Sequence, residues 1–314
     1  MIEFNEEGVV TKSTGSWYTV ALQNGKKLQA RLRGNLRLDE RDTTNPVAVG
    51  DRVIIAENEG DYVISEILPR KNYIVRQSPK HPKARHIIAS NIDQAILIAT
   101  ITMPRTSPGF IDRFLLTAEA YHIPVILVFN KNDLITGDHD KHLRDTYFQI
   151  YSPIGYKILF TSVKTGENIN TLKALLKDKT SLLGGHSGVG KSSLINFIEP
   201  SLQLKTQPVS SYTGKGLHTT TFAEMHFLSF GGCIIDTPGI KEFGVSGFLP
   251  EEVSHYFIEM LPYLPKCKFN NCLHDNEPDC AVKEAVNQGK IHSQRYSSYL
   301  TLLEEVKQAR KDWE

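Results

Sequence analysis

The segment Lys27-Leu28-Gln29-Ala30-Arg31-Leu32-Arg33 alternates polar and apolar residues, so an extended strand there buries one face and wets the other. Short β-prone runs flank it: Val9-Val10 and Trp17 to Leu22 before it, Val49 to Ile55 and Tyr62-Val63-Ile64 after it. Thr14-Gly15-Ser16 and Asn24-Gly25 supply the turn chemistry between strands. Five short strands in about 70 residues predict a small barrel of the OB type, whose outer face commonly binds oligonucleotides. An SH3-like barrel, or a barrel that only packs on its neighbour, is the alternative.

From about residue 92 the pattern changes. Ala95 to Ala99 and Val125 to Phe129 are unbroken apolar runs, as strands buried on both faces of a parallel sheet require. Ile111, Phe114, Leu115 and Ala118 form a helical stripe within Phe110 to His122, and Ile169, Leu172, Leu175 and Leu176 form a second. Strands alternating with helices predict a three-layer α/β domain. Beyond about residue 245 the pattern is helical around a Cys/His knot and ends in an amphipathic stripe of Tyr296, Tyr299, Leu300, Leu303 and Val306, read as core packing. The expected organisation is a multidomain chain: an OB-type barrel at 1–72, an α/β nucleotide-binding domain at 73–245 and a mainly helical zinc-binding domain at 246–314.

At 314 residues the chain has room for this many cores. Its charge is balanced, 36 Lys and Arg against 35 Asp and Glu, so no global field marks a nucleic-acid partner and any such contact must be local. One local candidate is the basic stretch Arg70, Lys71, Arg76, Lys80, Lys83 and Arg85, interleaved with His81 and His86, which suits phosphate contact or plain solvation. No run nears the roughly 18 apolar residues of a membrane span, and Met1 to Glu7 lacks the apolar core of a secretory leader. Four cysteines, three of them beside a histidine, suggest metal and a reducing compartment. A cytoplasmic location without membrane contact is expected.

The chemistry is carried by motifs in an unusual order. Gly185-His186-Ser187-Gly188-Val189-Gly190-Lys191-Ser192 matches a phosphate-binding loop, with strand-like Ser181 to Leu183 and Gly184 before it and helix-like Ser193 to Ile198 after it. Its glycines let backbone N–H groups converge on phosphate oxygens at a helix N-terminus. Lys191 is expected to reach the β- and γ-phosphates and Ser192 to ligate Mg²⁺. Asn130-Lys131-Asn132-Asp133 follows a buried strand, where ligands bind in open α/β sheets. Asp133 there accepts from the N1–H and 2-amino group of guanine, donors that adenine lacks. Thr161, Ser162 and Lys164 fit the loop that supports the base. Thr219, Thr220 and Thr221 form a candidate switch, Thr220 being the favoured magnesium ligand, and Asp236-Thr237-Pro238-Gly239 supplies a water-mediated magnesium contact and a γ-phosphate sensor. Ile240 stands where many GTPases carry the glutamine that orients water, so either another residue positions the water or hydrolysis is intrinsically slow. His218 is the nearest titratable candidate for that role and is equally readable as a structural or exposed histidine. An ordinary GTPase has its phosphate loop first; here the base-reading tetrad comes first, the order of a circularly permuted GTPase.

Cys267, Cys272, His274 and Cys280 supply three thiolates and an imidazole within fourteen residues, the donor set of one closed structural zinc site. Cys233 lies in an apolar strand and reads as core.

Taken together, the tetrad at Asn130, the loop at Gly185, His218-Thr219-Thr220-Thr221, Asp236 to Gly239 and the Cys/His knot make the chain resemble the ribosome small-subunit-dependent GTPase A family (RsgA, also called YjeQ). The resemblance implies a GTPase of late 30S maturation, stimulated by the small subunit, with a barrel and a zinc domain that grip 16S rRNA. A monomer binding GTP, Mg²⁺ and one Zn²⁺ is expected. Local departures are His186, where glutamine is common, and Leu217, where arginine often precedes the switch histidine. Two other classes compete: an RNA-binding module whose GTP site regulates binding with negligible turnover, and an ATPase or small-molecule kinase, which Asp133 disfavours.

Overall fold

In the computed structural model Leu28, Ala30 and Leu32 are buried while Lys27, Gln29 and Arg31 are exposed, as the alternation requires. Residues 5–33, 43–58, 60–77, 85–204, 223–237 and 247–311 are described. They belong to two compact units, one of Met1–Ile98 with Asn168–Glu242 and one of Ala99–Glu167 with Phe243–Glu314.

The first unit begins with a barrel. Strands β1 (Asn5–Ser13), β2 (Tyr18–Leu22) and β3 (Lys27–Leu32) form an antiparallel meander. After the short β4 (Thr43–Asn45), β5 (Arg52–Asn58) and β6 (Asp61–Ile67) pair as a hairpin. β3 runs parallel to β6, and β5 closes antiparallel onto β1. That closed five-strand circuit is the OB architecture, packed around Val10, Val20, Ala30, Val53, Ile55 and Ile64. β7 (Tyr73–Gln77) and β8 (Arg85–Ser90) pair antiparallel over part of the basic stretch. Among the described side chains β7 buries only Ile74, and β8 buries Ile87, Ala89 and Ser90, runs too short to show a clear period in the sequence.

Two residues of the basic stretch are committed to the protein itself. Arg70 forks onto buried Asp51 at 2.7 Å and also donates to the Pro46 carbonyl, while Lys71 pairs with Asp93 at 2.9 Å. Arg70, with a side chain only 15% exposed, is therefore a structural cation rather than a phosphate ligand. Lys80, His81 and Lys83 lie outside the described residues, as do the side chains of Arg76 and Arg85.

The rest of this unit is α/β. β9 (Gln94–Ala99), β12 (Thr180–Gly184) and β14 (Cys233–Asp236) are parallel neighbours, accompanied by α3 (Ile169–Leu176) and α4 (Lys191–Ile198). β13 (Glu224–Phe227) is antiparallel to β14 on one side and to β1 of the barrel on the other, where Lys12 stands opposite Glu224 and pairs with it at 3.1 Å. Barrel and nucleotide-binding sheet are thus hydrogen-bonded into one sheet.

In the second unit β10 (Val125–Phe129) runs parallel to β11 (Lys157–Phe160). Helix α1 (Pro108–Ala120) starts where Ser107 caps the Phe110 N–H, and buries the predicted stripe of Ile111, Phe114, Leu115 and Ala118. Helix α2 (Asp138–Tyr151) carries buried residues only near its C-terminal end, at Tyr147, Ile150 and Tyr151, so its sequence shows no full helical stripe. The C-terminal region contributes α5 (Ala281–Asn287) and α6 (Ser293–Lys311). Leu116 of α1 belongs to the same core as Val253, Phe257, Met260, Tyr299, Leu302, Leu303 and Val306, so the C-terminal helices share their apolar centre with α1. No described helix is long and apolar enough to cross a membrane.

Candidate nucleotide site and metal centre

Asp236 and the phosphate loop come together because β12 and β14 are adjacent and parallel, with Leu183 in register with Asp236. The loop leaves the C-terminal end of β12, turns through Gly185, and enters α4 at Lys191. Gly185 has φ 133°, and a side chain there would collide with the Ile98 carbonyl. Gly190, at φ 91°, is the N-cap of α4. These two positions require glycine for different reasons, crowding together with backbone angle at the first and backbone angle at the second. The Lys191 ammonium donates to the Gly185 carbonyl at 2.7 Å and the His186 carbonyl at 3.0 Å, drawing the loop around a positive charge. Gly184, Ser187, Gly188, Val189, Ser192 and Ser193 complete the strand–loop–helix turn as read from the sequence.

The tetrad occupies the C-terminal end of β10. The Asn130 N–H donates to the Ala99 carbonyl at 2.8 Å, and its buried side chain accepts from the Thr161 hydroxyl at 3.2 Å. Lys131 adopts the left-handed conformation, φ 63°, and its ammonium donates to the Met103 carbonyl at 3.0 Å. Burial lowers its pKa, while the neighbouring Asp133 acts in the opposite direction. Asp133 accepts from the Ser162 hydroxyl at 2.6 Å through one oxygen, and its second oxygen has no hydrogen-bond partner among the described residues. Ser162 and Thr161 are buried, and Lys164 is exposed. The second unit therefore assembles Asn130, Asn132, Asp133, Thr161 and Ser162, and the first assembles the phosphate loop and Asp236. His218, Thr219, Thr220, Thr221, Gly239 and Ile240 lie outside the described residues.

Sequence reasoning missed Glu167, whose carboxylate accepts from the Asn132 amide at 3.0 and 2.8 Å. Its one local signal is its place five residues after Ser162, in the turn that supports the base.

The Cys/His knot can be tested against zinc by its own distances. Tetrahedral bonds of 2.3 Å to sulfur and 2.0–2.1 Å to nitrogen set sulfur–sulfur pairs about 3.8 Å apart and sulfur–nitrogen pairs about 3.6 Å apart. Cys267 Sγ and Cys280 Sγ are separated by 3.9 Å, and His274 Nδ1 lies 3.5 Å and 3.4 Å from them. All four donors, Cys272 included, lie within 4.8 Å of one another. Three thiols and one imidazole at these spacings fit a single structural zinc. The fit is electrostatic as well. Without a cation, burial pushes the Cys272 thiol up to about 12, raises Cys280 and lowers His274, so burial disfavours charge on these three donors and a bound metal would supply the charge that stabilises thiolates. Around the knot, Tyr296 donates to the His274 carbonyl at 2.7 Å and Tyr299 to the Leu273 carbonyl at 2.6 Å. The tyrosine stripe of α6 thus clasps the backbone that presents the ligands.

Comparison with known proteins gives a consistent result. The RsgA GTPase family matches residues 67–246 and the RsgA N-terminal domain matches residues 7–64. The small ribosomal subunit biogenesis GTPase RsgA of Bacteroides fragilis strain YCH46 is 48% identical over 305 residues, covering 97% of this chain and 98% of its own. The protein of the same name from Flavobacterium psychrophilum is 50% identical over 302 residues, covering 95% and 92%. The crystal structure of YjeQ from Thermotoga maritima shares 37% identity at a TM-score of 0.78, covering 96% of this chain and 98% of that one. YloQ, a circularly permuted GTPase, shares 30% identity at a TM-score of 0.72, covering 97% and 96%. The permuted order of tetrad and phosphate loop is thus a family trait, and the chain belongs to the RsgA family of GTP-hydrolysing enzymes.

Proposed function

We propose that this chain hydrolyses GTP during biogenesis of the small (30S) ribosomal subunit, contacts 16S rRNA as it does so, and works as a cytoplasmic monomer stimulated by that subunit. The relatives' names carry the biogenesis role. The observation that supports the chemistry most is Asp133 held by Ser162, an acceptor suited to guanine, on a chain whose Lys191 loop adjoins Asp236. Residues 1–72, 73–245 and 246–314 are assigned as barrel, nucleotide-binding and zinc-binding modules.

In the reaction, water attacks the γ-phosphorus and the bond to the β–γ bridging oxygen breaks, giving GDP and inorganic phosphate. The loop amides and Lys191 stabilise charge on the phosphate oxygens. Ser192 and Thr220 would hold Mg²⁺, with Asp236 assisting through water, and the ion would supply positive charge to the phosphate oxygens, while the Gly239 N–H would contact the γ-phosphate. Ile240 offers no hydrogen bond to water, so that role is assigned to His218.

For RNA, the barrel offers Trp17, 39% exposed, with the Arg31 guanidinium 4.1 Å from its ring centre. An aromatic face backed by a cation suits an unstacked base. Measuring phosphate release from GTP and ATP, with and without purified small subunits, tests the whole reading. Guanine preference and strong stimulation support it, and equal use of ATP overturns it. Ile240 favours one other reading, a GTP-regulated RNA-binding module with negligible turnover, which requires no release above background even on the subunit.

A further inference from the structure

Glu167 lies outside the recognised motifs, yet among the described residues it joins both loops that build the base site. Its backbone carbonyl accepts from the Ser162 N–H at 3.3 Å, and the Gly166 N–H donates to the Ser162 carbonyl at 2.9 Å, closing the turn 162–167. Ser162 is the residue whose hydroxyl holds Asp133. On its other side the Glu167 carboxylate receives the Asn132 amide through both oxygens, at 3.0 and 2.8 Å. Asn132 immediately precedes Asp133. Its own amide oxygen is buried and has no hydrogen-bond partner among the described residues, so Glu167 is the polar anchor of that side chain.

The tetrad needs such an anchor. Lys131 is held left-handed, a conformation costing about 1–2 kcal/mol for a residue with a Cβ. The turn through Asn132 and Asp133 persists only if its surroundings over-determine it. On one side Lys131 donates to the Met103 carbonyl. On the other the Asn132 N–H donates to the Thr161 carbonyl at 3.0 Å, and two side-chain tethers follow in sequence, Asn132 to Glu167 and Asp133 to Ser162. The Glu167 carboxyl group takes one amide nitrogen with both oxygens, so it restrains direction as well as distance.

We propose that Glu167 is a positioning residue for guanine recognition: by fixing Asn132 against the Ser162 turn, it sets the direction in which Asp133 presents its carboxylate to the base. This rests on the assignment of Asp133 as the guanine reader. Glu167 does not touch the base; it acts through Asn132. Being exposed, its bond contributes little to global stability, so its effect belongs in ligand selection rather than in folding.

The test uses full-length protein and fluorescent GDP, with competition by GDP, inosine diphosphate (which lacks the 2-amino group) and ADP. Glu167→Ala is expected to weaken GDP binding about three- to tenfold, the range of one net hydrogen bond. It should also narrow the preference for GDP over inosine diphosphate and leave the thermal midpoint nearly unchanged. Glu167→Gln keeps one acceptor and should lie between the alanine variant and wild type; it carries the test if the alanine variant does not fold. In an Asn132→Ala background, Glu167→Ala should have no further effect, because the path runs through that amide. Wild-type affinity and discrimination in both Glu167 variants, or a full loss that persists in the Asn132→Ala background, overturns the proposal. Wild-type protein that fails to prefer GDP over ADP overturns the guanine reading and this proposal together. A clear preference with silent Glu167 variants overturns this proposal alone.

Discussion

Arg295 is the largest fully buried side chain among the described residues, and removing its charge should destabilise the fold strongly. Its guanidinium lies 2.7 Å from Asp112 on α1 and 2.6 Å from Glu259, and stacks 4.5 Å from the Phe257 ring centre. The Arg295 side chain is 1% exposed and that of Asp112 is 0% exposed. Burial opposes the charge on Arg295, yet the two carboxylates hold its pKa well above the ordinary value. Burial pushes the Asp112 carboxyl up, and Arg295 is the main force pulling it back. Arg295→Met keeps most of the volume but strips buried Asp112 of its cation, with the Tyr151 hydroxyl still 2.9 Å away. Breaking a buried pair from one side costs about 3–5 kcal/mol. The cost should also depend on pH in a defined direction. In the variant the folded-state pKa of Asp112 rises further above its unfolded value, so stability is greatest below the unfolded pKa and is lost as pH rises through the folded one. The deficit against wild type should therefore be smaller at pH 5 than at pH 8, changing by up to about 1.4 kcal/mol per pH unit within that window. Urea unfolding followed by far-ultraviolet circular dichroism at both pH values measures it, and a cycle with Asp112→Asn should give a coupling of at least about 1 kcal/mol. A deficit below about 1 kcal/mol that does not vary with pH would refute the reasoning.

Asp133→Asn should move preference from guanine toward xanthine nucleotides, because an amide donates where the carboxylate only accepts; competition binding with xanthosine diphosphate checks it. Cys272→Ser should abolish stoichiometric zinc in metal analysis of gently purified protein and lower the thermal midpoint. Because the core around the knot includes Leu116, hydrogen exchange should rise in α1 as well as in the C-terminal helices; protection unchanged in α1 would show that its packing does not depend on the metal. His218→Ala should cut subunit-stimulated hydrolysis by at least about 10²-fold while sparing GTP affinity. An unchanged stimulated rate would move the positioning of water to the partner.

Much of the site was legible because its chemistry demands contiguous residues. A loop that cradles phosphate needs its glycines, lysine and serine at set spacings between a strand and a helix, and β12, Gly185 to Gly190 and α4 follow that order. The tetrad after β10 and the Cys/His knot are equally local. What escaped the sequence is non-local. Asp112 and Arg295 are 183 residues apart, and either alone reads as a surface charge on an amphipathic helix. Arg70 read as part of a basic run because its partner Asp51 is distant in the chain and hidden in the folded protein. Strand β13 escaped because in Glu224-Met225-His226-Phe227 only Met225 is buried, and four residues with one inward apolar position make no period.

That inconspicuous strand determines how the chain can be cut. β13 has β14 on one flank and β1 on the other. Deleting the barrel would strip one flank of its partner and turn an interior strand into a bare sheet edge carrying unpaired N–H and C=O groups. Such an edge recruits other chains, so a barrel-less fragment should aggregate even when its phosphate loop is chemically intact. The barrel is then a lid on the sheet's margin as much as a recognition module, and any graft, truncation or fusion that separates the two must supply β13 with a substitute neighbour.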